Sequence, residues 1–394
     1  MTEMHARDNR PVFVRGKAVA CALGEDLDAV VDGMRSGRKN VTQIALSITD
    51  PNECRPYYMM PDQLRDRWKN VESRFYGVLL ETVAKAVADA GLSKEETEKM
   101  SIFLGSTSMN IPIFEAGYAE SKARFRDYFI QAASGFGVIA DKVAGRFGIQ
   151  GPCYTFTTAC TSSANGLLYA AAMIEQADQA RALVIGYDMF NLLGFYGFES
   201  LKLLSASEYR PFDKRRDGIV MGEACGAVIL DTQPGTKADF RILGGANACD
   251  THNVALHDTE GDVVAGVMTK ALDTCRVDRA GVTAIKAHAT GSYHNDLTES
   301  NAIHNVFGRY YPPTTGLKPF IGHTVGACGV VELILFTESI RAGFLPATAG
   351  FEVEDEALAV TPLSAPRGAG KGIFMLNYFG FGGNCTTLMV TNKD

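Results

Sequence analysis

Residues 157–172, Thr-Thr-Ala-Cys-Thr-Ser-Ser-Ala-Asn-Gly-Leu-Leu-Tyr-Ala-Ala-Ala, constrain the fold more than any other stretch. Residues 154–158, ahead of Cys160, are β-branched or aromatic, which suits a strand. After Cys160 come small residues, then Leu167, Leu168, Ala171, Ala172 and Met173, with no charge before Glu175. A helix that is apolar or small on every side is a buried helix. Cys160 is therefore expected at a strand-to-helix turn, on the first turn of a buried helix. Unpaired N–H groups and the positive dipole end would favour a thiolate there. The competing reading is a small, inert core cysteine.

The chain has 394 residues, 46% of them hydrophobic, enough for a large core in two domains or two halves. A net charge of −7 and the lack of a long basic run argue against a nucleic-acid binder. The nine cysteines are scattered singly, with no Cys-x-x-Cys pair, which fits a reducing compartment. Residues 1–10 are polar and charged, unlike a signal peptide, and no run of about 18 apolar residues occurs. These features lead us to expect a cytoplasmic protein.

Strand patterns at 12–23, 100–105, 182–186, 219–231, 242–247, 283–287, 372–378 and 386–391 alternate with helical spacing. The helical stretches are 26–35, 75–90, 111–131, 132–147, 263–275, 296–307 and 323–341. Residues 46–72, with Pro51, Pro56 and Pro61, read as surface turns and short helices. The alternation predicts an α/β fold with covered sheets. Gln233-Pro-Gly-Thr marks the expected boundary, dividing the chain into halves 1–235 and 236–394. Each half carries a reactive side chain leading into an apolar helix, Cys160 in the first and His323 in the second. A duplicated unit with its site between the halves would look like this.

Four more segments hold unusual glycine, histidine or charge patterns: 210–224, 287–299, 318–332 and 377–384. His288 directly follows a short apolar strand, so it is expected at that strand's end, where α/β proteins place their sites. His323 lies between Gly322 and Gly326 at an expected helix start, where the dipole keeps an imidazole neutral. Two neutral histidines facing a thiolate can form an oxyanion site without a metal. Zinc is the alternative for this donor set, but the spacing matches no short ligand pair. Either histidine alone could equally be a satisfied core residue.

Taken together, these segments resemble the β-ketoacyl-acyl carrier protein synthases, condensing enzymes of the thiolase fold. The resemblance runs over nearly the whole chain. It rests on Thr-Ala-Cys160-Thr-Ser, His288-x-Thr290, Gly-His323-Thr-x-Gly and Gly380-Phe381-Gly382-Gly383. Residues 210–223 are similar to the family's Arg-Pro-x-Asp segment. The sequence departs from the commonest pattern at Ala289, usually glycine, and at Ser292, usually threonine.

The resemblance implies a five-layer α-β-α-β-α fold of two pseudo-repeated halves. It makes Cys160 the nucleophile and His288 and His323 the enolate-binding pair. Lys318 and Glu332 fall at the family's buried lysine and glutamate. Phe381, with Gly380 and Gly382, corresponds to the gating and oxyanion loop. Thr290 and Ser292 would hold pantetheine. The implied reaction is acylation of Cys160, then decarboxylative condensation with malonyl-acyl carrier protein. No tightly held cofactor is implied, because the phosphopantetheine belongs to the carrier protein.

Two rival readings use the same residues. One is a non-catalytic, chain-length-factor-like partner subunit, in which the nucleophile is usually replaced. The other is a thiolase-type enzyme acting on coenzyme A esters, with Cys385 as a second nucleophile. The runs Ser106-Thr-Ser-Met-Asn and Gly197-Phe-Glu-Ser-Leu resemble aryl polyene synthases, which can pair with a second synthase-like subunit, so the expected assembly is a homodimer or such a heterodimer. Arg65, Arg67 and Lys69 are the candidate carrier-protein docking cluster. Ser108, where the family often has a bulkier apolar residue, is the candidate acyl-pocket residue, with a helix-capping role as the competing reading.

Overall fold

The computed structural model describes residues 10–46, 53–124, 135–235, 240–254 and 256–394. Ten strands form one continuous sheet: β1 (Val12–Ala20), β2 (Ser101–Gly105), β3 (Cys153–Phe156), β4 (Arg181–Asp188), β5 (Ala224–Asp231), β6 (Arg241–Cys249), β7 (Val282–Ala287), β8 (Thr314–Gly316), β9 (Ile373–Gly380) and β10 (Asn384–Thr391). Their spatial order is β8-β7-β9-β10-β6-β1-β5-β4-β2-β3. The centre joins weakly, since β1 meets β6 only at Val12–Ile242 and Phe13–Arg241.

On either side of that seam lies the same five-stranded pattern. In sequence order within each half the strands stand 3-2-4-5-1. The parallel pairs are β2–β3 and β2–β4 in one half, β7–β8 and β7–β9 in the other. The antiparallel pairs are β4–β5 and β5–β1, matched by β9–β10 and β10–β6. The internal echo around Cys160 and His323 therefore has a topological counterpart.

Seven helices matter to the site: α1 (Val71–Asp89), α2 (Val138–Phe147), α3 (Ser162–Glu175), α4 (Leu192–Ser200), α5 (Asp262–Cys275), α6 (Tyr293–Phe307) and α7 (Cys328–Arg341). Strand alternation sorts side chains into layers. On β2, Ile102 and Leu104 face α1 and α2, while Phe103 faces the middle. On β9, Met375 packs with α5 and α6, while Phe374 and Leu376 face the middle. The middle layer is α3 against α7, apolar as the sequence pattern predicts. Each sheet half is thus covered on both faces, giving five layers. The two central helices pack so closely that a methyl group on Gly329 of α7 would overlap the backbone nitrogen of Ala164 on α3.

Some expected elements differ. Within 46–72, Cys54–Tyr58 is a strand, paired with Thr42–Ala45 and with Met221–Gly222 in a small sheet. Its Arg and Pro residues hid it, because short edge pairing is not recorded in a hydrophobic period. The sequence pattern does not reveal helix α4, whose residues are mostly apolar and lack periodicity. The helix expected over 111–131 runs Ile111–Arg124, and the remainder of that stretch lies outside the described residues, as do 132–134 of the next one and residues 1–9. Neither central helix begins at its reactive residue. Cys160 sits in the 3₁₀ turn Ala159–Thr161 ahead of α3. His323 lies before the matching turn Val325–Ala327 ahead of α7.

Candidate active site

The two turns bring their reactive residues together at the seam between halves. His323 Nε2 lies 3.1 Å from Cys160 Sγ. His288, just past the end of β7, stands edge-to-face with His323 at 5.3 Å between ring centres. One donor atom from each of the three lies within 4.8 Å of the others. All three residues are buried. The floor of a cleft between the halves is formed by them, with Thr290, Ser292, His257, Phe198 and Phe381 around it.

Backbone strain marks the same three places. Ala159, Ala289 and Val325 have φ of +51°, +50° and +45°. The left-handed region costs a residue with a Cβ roughly 1–2 kcal/mol, so it persists where surrounding packing enforces it. Ala159 directly precedes Cys160. Ala289 directly follows His288, which explains why glycine is the usual residue at this place.

His288 is oriented from behind. Lys318 Nζ lies 3.1 Å from its Nδ1 and donates to its carbonyl oxygen at 2.6 Å. An ammonium can only donate, so Nδ1 accepts and the ring proton sits on Nε2. Glu299 accepts from the backbone N–H groups of His288 and Ala289 at 2.8 and 2.9 Å, holding that turn. Burial pushes the Glu299 carboxyl up to about 7.

Burial, reinforced by the Lys318 charge, holds both imidazoles well below their ordinary value. They are neutral. Burial also pushes the Cys160 thiol up to about 12, against the pull of Lys318 and of the backbone N–H groups of Phe381 and Cys160. This corrects the expected resting thiolate: desolvation outweighs the turn's dipole in this closed pocket. The resting site is a neutral thiol beside a neutral imidazole.

A metal fits this donor set poorly. The partner behind His288 Nδ1 is the Lys318 ammonium, where a metal-bound histidine would have a carboxylate or carbonyl.

Glu332 lies beneath Lys318, its Oε1 2.7 Å from Lys318 Nζ. Phe381 stacks on Phe198 of α4 at 5.4 Å. Phe198 also lines a second cavity of about 220 Å³, with Tyr57, Ser108, Ile111, Leu193 and Met221. Ser108 thus borders that cavity. Its hydroxyl donates to buried Asp188 at 2.6 Å. Asp188 also accepts from the N–H groups of Thr107, Ser108 and Gly326, tying the loop after β2 to the turn beyond His323. Thr290 and Ser292 line the cleft with their hydroxyls 3.1 Å apart.

Arg65 pairs with Asp62, and Arg67 pairs with both Glu25 and Glu81. Much of the charge of the candidate docking cluster is therefore compensated locally. Cys385 is buried outside the cleft, near His257 Nδ1 at 3.7 Å.

The sequence of functional segments is matched by two contiguous domain families: the β-ketoacyl synthase N-terminal domain over residues 9–234 and its C-terminal domain over 240–352. The chain belongs to the β-ketoacyl synthase family. The synthase is 26% identical to the 3-oxoacyl-[acyl-carrier-protein] synthase 2 of Coxiella burnetii, over 98% of this chain and 99% of that one. It is 27% identical to a putative polyketide β-ketoacyl synthase 1 of Streptomyces halstedii, over 82% of each chain. Among solved structures it matches the ishigamide ketosynthase/chain length factor with a TM-score of 0.85 and 25% identity, covering 98% of this chain and 100% of that one.

Sequence reasoning missed several residues of this synthase's site. Asp188, Glu299, His257 and Lys286 were not assigned roles. Lys286 carried a usable signal, a charge inside the apolar strand Val-Thr-Ala-Ile-Lys-Ala.

Proposed function

We propose that this synthase catalyses decarboxylative condensation of malonyl-acyl carrier protein with an acyl group held on Cys160. The observation that carries this reading is the convergence of a nucleophile, two backbone N–H groups and two neutral imidazoles on one buried point. Cys160 Sγ attacks the acyl thioester while its proton passes to His323 Nε2. The tetrahedral oxyanion points at the N–H groups of Cys160 and Phe381; losing one such donor typically costs about 10²–10³ in rate. Collapse forms the acyl-enzyme, and the departing pantetheine thiolate takes the proton from His323.

Malonyl thioester then loses carbon dioxide, and the enolate oxygen accepts from Nε2–H of His288 and of His323. Among the described residues His323 Nδ1 has no hydrogen-bond partner, which leaves its ring free to carry the proton on either nitrogen and serve both stages. The enolate carbon attacks the acyl carbonyl, the C–S bond to Cys160 breaks, and one proton from water restores the thiol. Substrates arrive on phosphopantetheine, passing Thr290 and Ser292. We assign the 220 Å³ cavity to the acyl chain, as Phe198 borders both it and the cleft.

We also propose a second synthase-like subunit, supported by the likeness to a ketosynthase/chain length factor structure. The surface near the open edge of β3 exposes Tyr154 and Tyr169, and α4 exposes Leu192, Leu193 and Tyr196. The two short runs noted in the sequence favour aryl polyene chains as product. The direct test is to mix the protein with acyl- and malonyl-carrier protein, follow carbon dioxide release, and look for the acyl mass on Cys160. A folded sample that shows neither carbon dioxide release nor the acyl mass overturns the assignment.

A further inference from the structure

Behind His288 the structure holds two buried lysines, Lys318 and Lys286. Lys286, on β7 two residues before His288, is wholly buried. The strand's alternation turns it toward the middle layer, the same side as Ala284, while Ile285 packs outward against α5 and α6. Its Nζ donates to Glu332 Oε2 at 2.6 Å and to the Asn377 carbonyl at 2.6 Å. It also lies 3.6 Å above the centre of the Tyr378 ring. Every direction its ammonium can donate or be screened is filled.

Glu332 depends on this contact. Lys318 reaches Oε1 at 2.7 Å, but off the hydrogen-bonding direction, because Lys318 spends its hydrogen bonds on His288. The aligned hydrogen bond to the carboxylate comes from Lys286. A continuous line runs Lys286, Glu332, Lys318, His288, all buried beyond solvent. Two ammonium groups face one carboxylate, and a buried excess charge is costly to a fold. Packing alone would favour an apolar residue at this place.

We propose that Lys286 is a positioning residue for the condensation: it anchors Glu332, and through it Lys318 and the Nε2–H edge of His288, and it places a second positive charge behind the developing enolate. This rests on the condensation reading above. Facing His288 are Lys318, Lys286, His323, His257, Cys160 and, on its backbone, Glu299; facing Lys286 are Glu332, Lys318, Cys328 and Tyr378. The Lys286 charge disfavours an imidazolium at both histidines, which keeps them as neutral donors at low pH.

The test is Lys286→Met, which keeps an unbranched stem one atom shorter and removes the ammonium. Loading of Cys160 by acyl-carrier protein should not fall, because that oxyanion uses backbone donors and His323, relieved of a positive neighbour, takes the thiol proton more readily. Decarboxylation of malonyl-carrier protein should lose about tenfold in kcat with little change in KM, less than losing a donor outright. The acid limb of its pH profile should move up by about one unit, since removing a positive neighbour makes the imidazoles easier to protonate. Lys286→Gln, which retains a hydrogen-bond donor without the charge, should show the same upward shift and serves if the Met variant folds poorly. NMR titration of the His288 ring in wild type and variant reads that shift without any substrate. An unmoved His288 titration overturns the proposal, as does unmoved decarboxylation in a folded variant. Wild type that fails to decarboxylate malonyl-carrier protein would instead sink the condensation reading, leaving the His288 titration to decide the role of Lys286.

Discussion

His323 Nε2 stands 3.1 Å from the Cys160 sulfur, and neither side chain is charged at rest. Burial is the shared cause, raising the thiol to about 12 and lowering the imidazole. Below that value the thiolate fraction grows about tenfold for each pH unit. Alkylation of Cys160 by iodoacetamide should therefore keep rising with pH from 7 through 9. A rate that levels off near pH 7 would mean a thiolate–imidazolium pair and contradict this account.

Cys160→Ala should abolish condensation and keep the fold, since a small buried residue replaces a small one. Malonyl decarboxylation should survive in it, because the enolate site is made by His288 and His323. His323→Ala should lose decarboxylation by about 10²–10³. Carbon dioxide release by His323→Ala at the wild-type rate would remove that residue from the enolate site.

Ser108→Phe would fill much of the 220 Å³ cavity. The longest acyl chain accepted on Cys160 should shorten, while short primers and malonyl decarboxylation stay nearly unchanged. Ser108→Ala is the control: it removes the hydrogen bond to Asp188 without filling space, at about 1–3 kcal/mol of stability. If long primers load on the Phe variant as on wild type, the cavity does not hold the chain.

Charge reversal at Arg65, Arg67 and Lys69 together should raise KM for carrier-bound substrate far more than for a pantetheine mimic. Arg67 is tied to Glu25 and Glu81, so reversing it alone should lower thermal stability before it changes KM. Equal effects on both substrates would dismiss the cluster as a docking surface.

Gly329→Ala should destabilise the protein by at least about 2 kcal/mol, because the added methyl meets backbone on α3 that cannot move aside. The turn carrying Cys160 and the turn just beyond His323 both lead into these helices, so activity should fall with stability. Chemical denaturation and condensation rates measured on the same sample check both. Unchanged values would show that α3 and α7 are free to separate.

Much of this protein was legible along the chain itself. The strand–helix alternation and the two apolar central helices follow from local spacing, because period and turn chemistry are local properties; Cys160, His288 and His323 stood out through the motifs around them and the family those motifs resemble. What pairs across the sequence was not legible. The matching 3-2-4-5-1 order of the two half-sheets rests on register between distant strands. The strand Cys54–Tyr58 exists only through its partners. A thiolate at Cys160 was the natural expectation from a helix start, and the depth of burial reversed it, because desolvation depends on everything packed above the turn. Ser108 gained its meaning from Asp188, 80 residues away, and Lys286 from Glu332, 46 residues away. The sequence alone determined which groups could react; their protonation, their anchors and the volume beside them were decided by contacts that only the folded chain brings together.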